Sequence, residues 1–274
     1  MKNHETRLRA PTTVTGLTAA EESAATRQTL RLLKTLQNAL KKGLADGDDV
    51  HWVDDLTQLT PDAALFLFQT LGRGEVTLHL YGGEARADET GLPGVWKLKI
   101  GPQTSLVAGR IPRCVIAAVS AGDSNITLPK KWPAGLTAAP ALLTELREAL
   151  YRADLSVVPE SAVPQWDLLH QPLSPADMNF LLAALGSGKT TAEISGFAKT
   201  RIDSTRVKGL WRTRVFNNQG KPLLDALSVT LIPPEIPAGL DDWPETLKAL
   251  SSLIGWLQSD LATGRLGGAP WRNL

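Results

Sequence analysis

Cysteine is nearly absent from this 274-residue chain, with Cys114 standing alone. One thiol makes neither an intrachain disulfide nor a thiolate cage. That excludes a cysteine-built zinc or iron–sulfur site within one chain and points to a reducing compartment. Cys114 sits in an apolar run, CVIAAV, as a buried and inert thiol would. Histidine is scarce too. His4, His51, His79 and His170 include no pair at metal-ligand spacing. There is no G-x-S-x-G elbow. No run reaches the roughly 18 apolar residues that cross a bilayer, and the opening stretch lacks the apolar segment of a secretory signal. The formal net charge is +1, so no bulk field draws in nucleic acid or an anionic membrane. The expectation is a cytoplasmic chain without a catalytic constellation, a metal or a cofactor, whose partners are neither nucleic acid nor membrane.

What is present is a globular balance, 43% hydrophobic against 21% charged residues, and this places the chain outside the disordered class. Eight Trp against two Tyr is unusual, and several of the Trp recur at matching places in the two halves.

The chain reads as two copies of one plan. Residues 1–18 lack periodicity and read as a flexible tail. A helix is predicted over 19–42, with Leu30, Leu33, Leu36 and Leu40 on one face. A short extended segment follows at 50–53. Thr60 then caps a helix with Pro61 at its first position, and Gly72 ends it. Strands are predicted at 75–81, 84–89, 95–100 and 113–119. Helix, extended segment and helix return at 142–153, 166–169 and 174–185. Strands return at 190–195, 199–205, 210–216 and 223–232, the last two joined by the hairpin signal Asn217-Asn218-Gln219-Gly220. A closing helix is predicted over 242–261. Trp166 follows Trp52 by 114 residues, and Ser174, Gly186 and Gly188 follow Thr60, Gly72 and Gly74 by the same interval. Trp211 follows Trp96 by 115. A constant offset over sparse residue types predicts an internal repeat. The expected architecture is α+β: two tandem helix–strand–helix–antiparallel-sheet repeats packed together, at 19–136 and 137–274, the second carrying the closing helix.

Gly186-Ser187-Gly188-Lys189-Thr190 resembles the end of a phosphate-binding loop, and a nucleotide-binding enzyme is one alternative reading. Such a loop lies between a strand and a following helix, so that backbone N–H groups surround the phosphate. Here the predicted order is helix, then strand. Ala183 stands where the first glycine belongs, and the first copy, Gly72-Arg73-Gly74-Glu75, has an acid in place of the lysine. The favoured reading is a helix ending at glycine and turning into a strand.

Trp96 and Trp211 begin equivalent strands. Strand alternation puts Lys97 and Lys99, and likewise Arg212 and Arg214, on the faces opposite them. On the plain account the tryptophans anchor the sheet to its helices and the basic residues face water. On the sharper account Lys97, Lys99, Arg212 and Arg214, with Glu75 and His79 nearby, form a partner-binding sheet face.

The order of these motifs resembles the HupH/HyaF family of hydrogenase expression/formation proteins. Leu71-Gly72-Arg73-Gly74-Glu75 and Gly94-Val95-Trp96 match its first half. Leu185-Gly186-Ser187-Gly188, Gly196-Phe197-Ala198, Ile202-Asp203-Ser204-Thr205, Trp211 and the strand running to Ile232-Pro233-Pro234-Glu235 match its second. Glu89 matches the family's acid before the Gly-Val-Trp strand and joins the candidate partner-binding residues on that ground. Lys189 and Ala198 depart from the pattern. The resemblance implies a non-catalytic, chaperone-like role in maturing NiFe hydrogenase, with a hydrogenase subunit precursor or another maturation protein as partner. A generic interaction module with an unrelated partner is a further alternative.

Overall fold

The structure is a computed structural model that describes residues 17–46, 50–160, 162–196 and 198–264. The expected tail therefore lies outside the described residues as far as residue 16, and Leu17 already packs on a helix cluster. In chain order the elements are α1 (Ala19–Asp46), β1 (Trp52–Asp55), α2 (Pro61–Leu71), β2 (Val76–Leu80), β3 (Ala85–Glu89), β4 (Val95–Ile100), β5 (Gln103–Ala108), α3 (Arg113–Ser120), α4 (Ala139–Arg152), β6 (Gln165–Asp167), α5 (Pro175–Leu185), β7 (Thr191–Ile194), β8 (Lys199–Ser204), β9 (Leu210–Phe216), β10 (Pro222–Val229) and the C-terminal α6 (Asp242–Thr263). This is an α+β architecture of helices and antiparallel strands.

Two compact units share the chain. The first comprises residues up to 75, 87–112 and those from 238 onward; the second comprises 76–86 and 113–237. In the first unit, β5 lies between β1 and β4, antiparallel to both. Gly101 and Pro102 turn β4 into β5, with Ile100 opposite Gln103 and Gly101 at φ 55°. Leu33, Leu36 and Leu40 of α1 form a stripe that is buried with Phe66, Leu67 and Leu71 of α2. The division by sequence groups the closing helix with the second half. Its stripe, Leu250, Leu253 and Leu257, is instead buried with α1 and α2. An amphipathic face gains stability wherever apolar area awaits it, not where the chain is nearest.

In the second unit the strand order is β2-β7-β8-β9-β10-β6, every neighbouring pair antiparallel. The β9–β10 hairpin is held by Asn217, whose side-chain oxygen accepts from the N–H groups of Gln219 and Lys221 at 2.9 and 2.8 Å. Leu142 and Leu146 of α4 and Leu181 and Leu185 of α5 are buried with Leu210, Leu227 and Val229 of the sheet. The strand predicted over 113–119 is helix α3. Val115 and Val119 are its buried residues. They are four apart and share a helical face, and a short apolar run behind a proline serves either state.

Asp177 ties two helix starts together. Its carboxylate accepts from Ser174 N–H and Oγ at 3.0 and 2.6 Å, completing a capping box at α5. It also accepts from Thr137 N–H and Oγ1 at 2.8 and 2.6 Å, and from the N–H groups of Ala138 and Ala139, where α4 begins. Ser174 first, then Thr137, hold this carboxyl far below the usual carboxylate range. A depressed folded pKa contributes stability above the unfolded value, about 3.9, and that stability is lost as pH falls further. Wild type is therefore expected to exceed Asp177→Asn in stability at neutral pH. In urea melts across pH the gap should close steadily below about pH 4.

Candidate partner-binding faces

Two helices, α2 and α5, each turn into a strand through a Gly-x-Gly joint. Thr60 Oγ1 accepts from Ala63 N–H at 3.2 Å to start α2. Gly72, at φ 69°, ends it, donating to Phe68 O. In the second unit Ser174 starts α5 and Gly186, at φ 61°, ends it, donating to Leu182 O. The N–H groups of the Gly-Ser-Gly-Lys-Thr stretch are used internally. Gly188 N–H donates to Ser204 O at 2.9 Å and Thr190 N–H to Ser204 Oγ at 3.1 Å. These glycines lie at a helix C-terminus, the negative end of its dipole. That geometry opposes phosphate binding.

The strand faces differ from the plain account in one respect. Leu210, not Trp211, joins the cluster with α4 and α5, and Val95, not Trp96, joins the cluster with α1, α2 and α6. By alternation Arg212 and Arg214, and Lys97 and Lys99, stand on the helix-bearing faces rather than on bare solvent faces. The tryptophans occupy the opposite faces and are buried. Each satisfies its indole N–H on backbone: Trp96 Nε1 donates to Gly109 O at 2.9 Å, and Trp211 Nε1 to Thr230 O at 3.2 Å.

In the second unit the arginines form a cross-strand ladder. Arg212 grips Asp225 with Nε at 2.7 Å and a terminal nitrogen at 2.6 Å, a bidentate pair. Arg214 donates to Asp203 at 2.6 Å, and Arg201 Nε reaches the same carboxylate at 3.0 Å. Thr191 Oγ1 donates to it as well, at 2.8 Å. Burial alone would raise the Asp203 carboxyl, but the hydrogen bonds from Arg201, Thr191 and Arg214 outweigh it and hold it low. The buried Nε of Arg214 has no partner. Beside this ladder a cavity of about 380 Å³ opens between α5 and the strands, lined by Leu182, Gly188 and the three arginines. Arg212→Ala would leave Asp225 unpaired where it is only 13% exposed. The expected cost is about 2 kcal/mol, below the loss for a fully buried pair because water still reaches this one. Urea melts check it against Lys99→Ala, expected to fall within about 0.5 kcal/mol.

The first unit holds lysines instead. Lys97 is half-buried, its Nζ 4.2 Å above the Phe68 ring of α2, a cation–π contact. Lys99 is exposed. A cavity of about 370 Å³ lies alongside, lined by Leu56, Leu65, Phe68 and Lys97. Leu65 is 47% exposed there. Glu75 is exposed just ahead of β2 in the first unit, while His79 is half-buried on β2 in the second, opposite Thr191. Glu89 is buried, with Oε1 3.5 Å from Gly94 N–H. It braces the joint at Gly74, where an added Cβ would stand 2.9 Å from its carboxylate. It is therefore not presented to a partner. Cys114 is half-buried, and burial pushes its thiol up. Among the described residues no three His, Cys, Asp or Glu side chains gather as a metal site, and no helix is long and apolar enough to cross a membrane.

Residues 136–257 match the C-terminal conserved region of the HupH hydrogenase expression protein. The hydrogenase expression/formation protein HoxQ of Azotobacter vinelandii is 32% identical over 232 residues, spanning 82% of this chain and 80% of that one. The chain belongs to the HupH family of hydrogenase expression/formation proteins. HoxQ of Cupriavidus necator is 28% identical over 245 residues, 87% of this chain and 85% of its own. The hydrogenase-1 operon protein HyaF of Escherichia coli is 25% identical over 254 residues, 88% and 85%.

The region that matches the HupH model carries the arginine ladder, both ends of α5 and most of α6. The pairing roles of Arg201, Asp203 and Asp225 do not stand out in the sequence of this HupH-family chain. Their signal was available: Arg201 and Asp203 alternate on one strand, and Asp225 follows the hairpin at the register that sets it opposite Arg214. Reading it requires the strand pairing.

Proposed function

We propose that this protein is a non-catalytic, chaperone-like scaffold of NiFe hydrogenase maturation, binding a hydrogenase subunit precursor or another maturation protein in the cytoplasm. The observation that carries this reading is similarity along at least four-fifths of the chain to proteins named for hydrogenase expression or formation. Contact is proposed through Lys97 and Lys99 beside exposed Leu65 in the first unit, with Glu75 near β2. In the second it runs through Arg212 and Arg214 beside their cavity, with His79 on β2. We also read residues 19–136 and 137–274 as copies of one plan. Supporting this are the paired caps Thr60 and Ser174, the paired glycines Gly72 and Gly186, and the paired indole bonds of Trp96 and Trp211. Deleting the gene tests the role: hydrogenase activity should fall while transcription of the hydrogenase genes persists. Full activity under all growth conditions would sink it.

A further inference from the structure

The Gly-Ser-Gly joint also borders a second cavity in the second unit, of about 350 Å³. Tyr81, 37% exposed, and half-buried Ala118 give it an accessible apolar floor, above the buried Trp211 and Val119. Three cations line it, Lys189, Arg206 and Lys208, against one acid, Asp123. Arg206 is already engaged: Nε donates to Asp123 at 2.9 Å, and a terminal nitrogen caps α5 at Ala184 O, 3.3 Å away. Lys189 is exposed and Lys208 half-exposed, and neither has an ion-pair partner among the described residues. The cavity therefore carries two uncompensated ammonium groups over an apolar floor.

The backbone under both lysines is fixed. Gly82 N–H donates to Lys189 O at 3.0 Å. That turn is fastened in its own right, since Tyr81, a non-glycine residue at φ 54°, donates its hydroxyl to Cys114 O at 3.2 Å. Lys208 N–H donates to Asp123 O, and Asp123 N–H to Arg206 O, each at 2.9 Å. Gly122 makes this approach possible, because a Cβ there would stand 2.8 Å from Arg206 O. Side chains mounted on a held backbone lose less freedom when they bind.

We propose that this cavity takes a short peptide segment in which a carboxylate side chain follows a bulky apolar one. The apolar group rests on Tyr81 and Ala118, over the buried Trp211 indole, and the carboxylate lies between Lys189 and Lys208. The proposal rests on the scaffold reading above, since the segment would belong to a client protein. Charge complementarity sets the sign of the ligand. The apolar floor sets its second group. A nucleotide fits less well, because the nearby backbone N–H groups that would bind phosphate are spent within the fold.

The test titrates full-length ¹⁵N-labelled protein with the capped peptide Ac-Gly-Phe-Glu-Gly-amide, with its Gln counterpart and with ATP. The Trp211 indole N–H signal, assigned through Trp211→Phe, is followed. The Glu peptide should shift that signal saturably, and the Gln peptide should bind about tenfold more weakly. Lys189→Gln with Lys208→Gln should weaken the Glu peptide to the Gln level while circular dichroism stays unchanged. Equal affinity for the two peptides, an unaffected double variant or a silent Trp211 signal overturns the proposal, as does ATP moving the signal more tightly than either peptide. Capture of hydrogenase subunit precursors separates this from the role itself. If wild type and double variant capture a precursor equally, the cavity is not the client site and this inference falls while the maturation role stands. If the peptides behave as stated and no precursor is captured, the maturation role falls and the cavity's chemistry stands.

Discussion

Replacing Trp211 with alanine is expected to destabilise the protein by about 3–5 kcal/mol, read as a lower urea midpoint at unchanged slope. Trp211 is 1% exposed. It lies on β9, paired with Ser204 on one side and Ser228 on the other, so neither neighbour can shift far to fill the void. A buried indole removes roughly 150–250 Å² from water, worth up to about 4–6 kcal/mol at about 25 cal/mol per Å². The indole N–H adds a second effect. It donates to both Thr230 O and Leu231 O, and Trp211→Phe keeps most of the area while withdrawing that donor, at an expected cost of about 1 kcal/mol. Trp96 is as deeply buried and donates to Gly109 O, so its alanine variant should fall in the same range. Trp256 is 40% exposed, and its replacement should change stability by less than about 1 kcal/mol.

Gly188→Ala is the second large effect, expected at about 3 kcal/mol, the upper range for forcing atoms into a packed site. A Cβ at Gly188 would collide with the Ser204 hydroxyl and with the Thr205 carbonyl oxygen. The hydroxyl can rotate away. The carbonyl belongs to backbone held by Thr205 N–H donating to Leu210 O at 3.0 Å, so the strand itself would have to move. Gly72→Ala is the informative contrast. Nothing stands within 4 Å of its Cβ, but its φ of 69° with ψ of −163° is a conformation essentially confined to glycine, which costs about 2 kcal/mol for another residue. Gly188→Ala should therefore exceed Gly72→Ala in denaturant melts. A phosphate loop would instead lose nucleotide affinity with little loss of fold.

The glycines show how far the sequence could be read. Gly72 and Gly186 were legible as helix ends because each closes an apolar run that began at a Thr-Pro or Ser-Pro cap. Gly188 was legible as a joint but not as a close approach, since Thr205 comes near only through strand pairing. The hidden strand β5 has the same cause: Gly101-Pro102 is a turn signal, but Gln103–Ala108 begins polar and ends apolar, without the alternation that marks a half-buried strand. The basic residues were placed on the correct side relative to the tryptophans, since alternation is local. Which side carried the helices was not local, and Lys97 under α2 and Arg212 beside α5 reversed the expectation. Asp177 was visible as part of a helix start. Its bonds to residues 137–139 span about forty positions of chain and left no mark in the local pattern.

The central claim is tested most directly by isolating the protein, tagged and untreated by cross-linker, from cells making NiFe hydrogenase, and identifying what comes with it by mass spectrometry. The scaffold account predicts an unprocessed hydrogenase subunit or another maturation protein in stoichiometric amount, released from a Lys97→Glu, Lys99→Glu, Arg214→Glu variant that still folds. Recovery of the protein free of any hydrogenase-related chain, in cells where hydrogenase is actively being assembled, would contradict it.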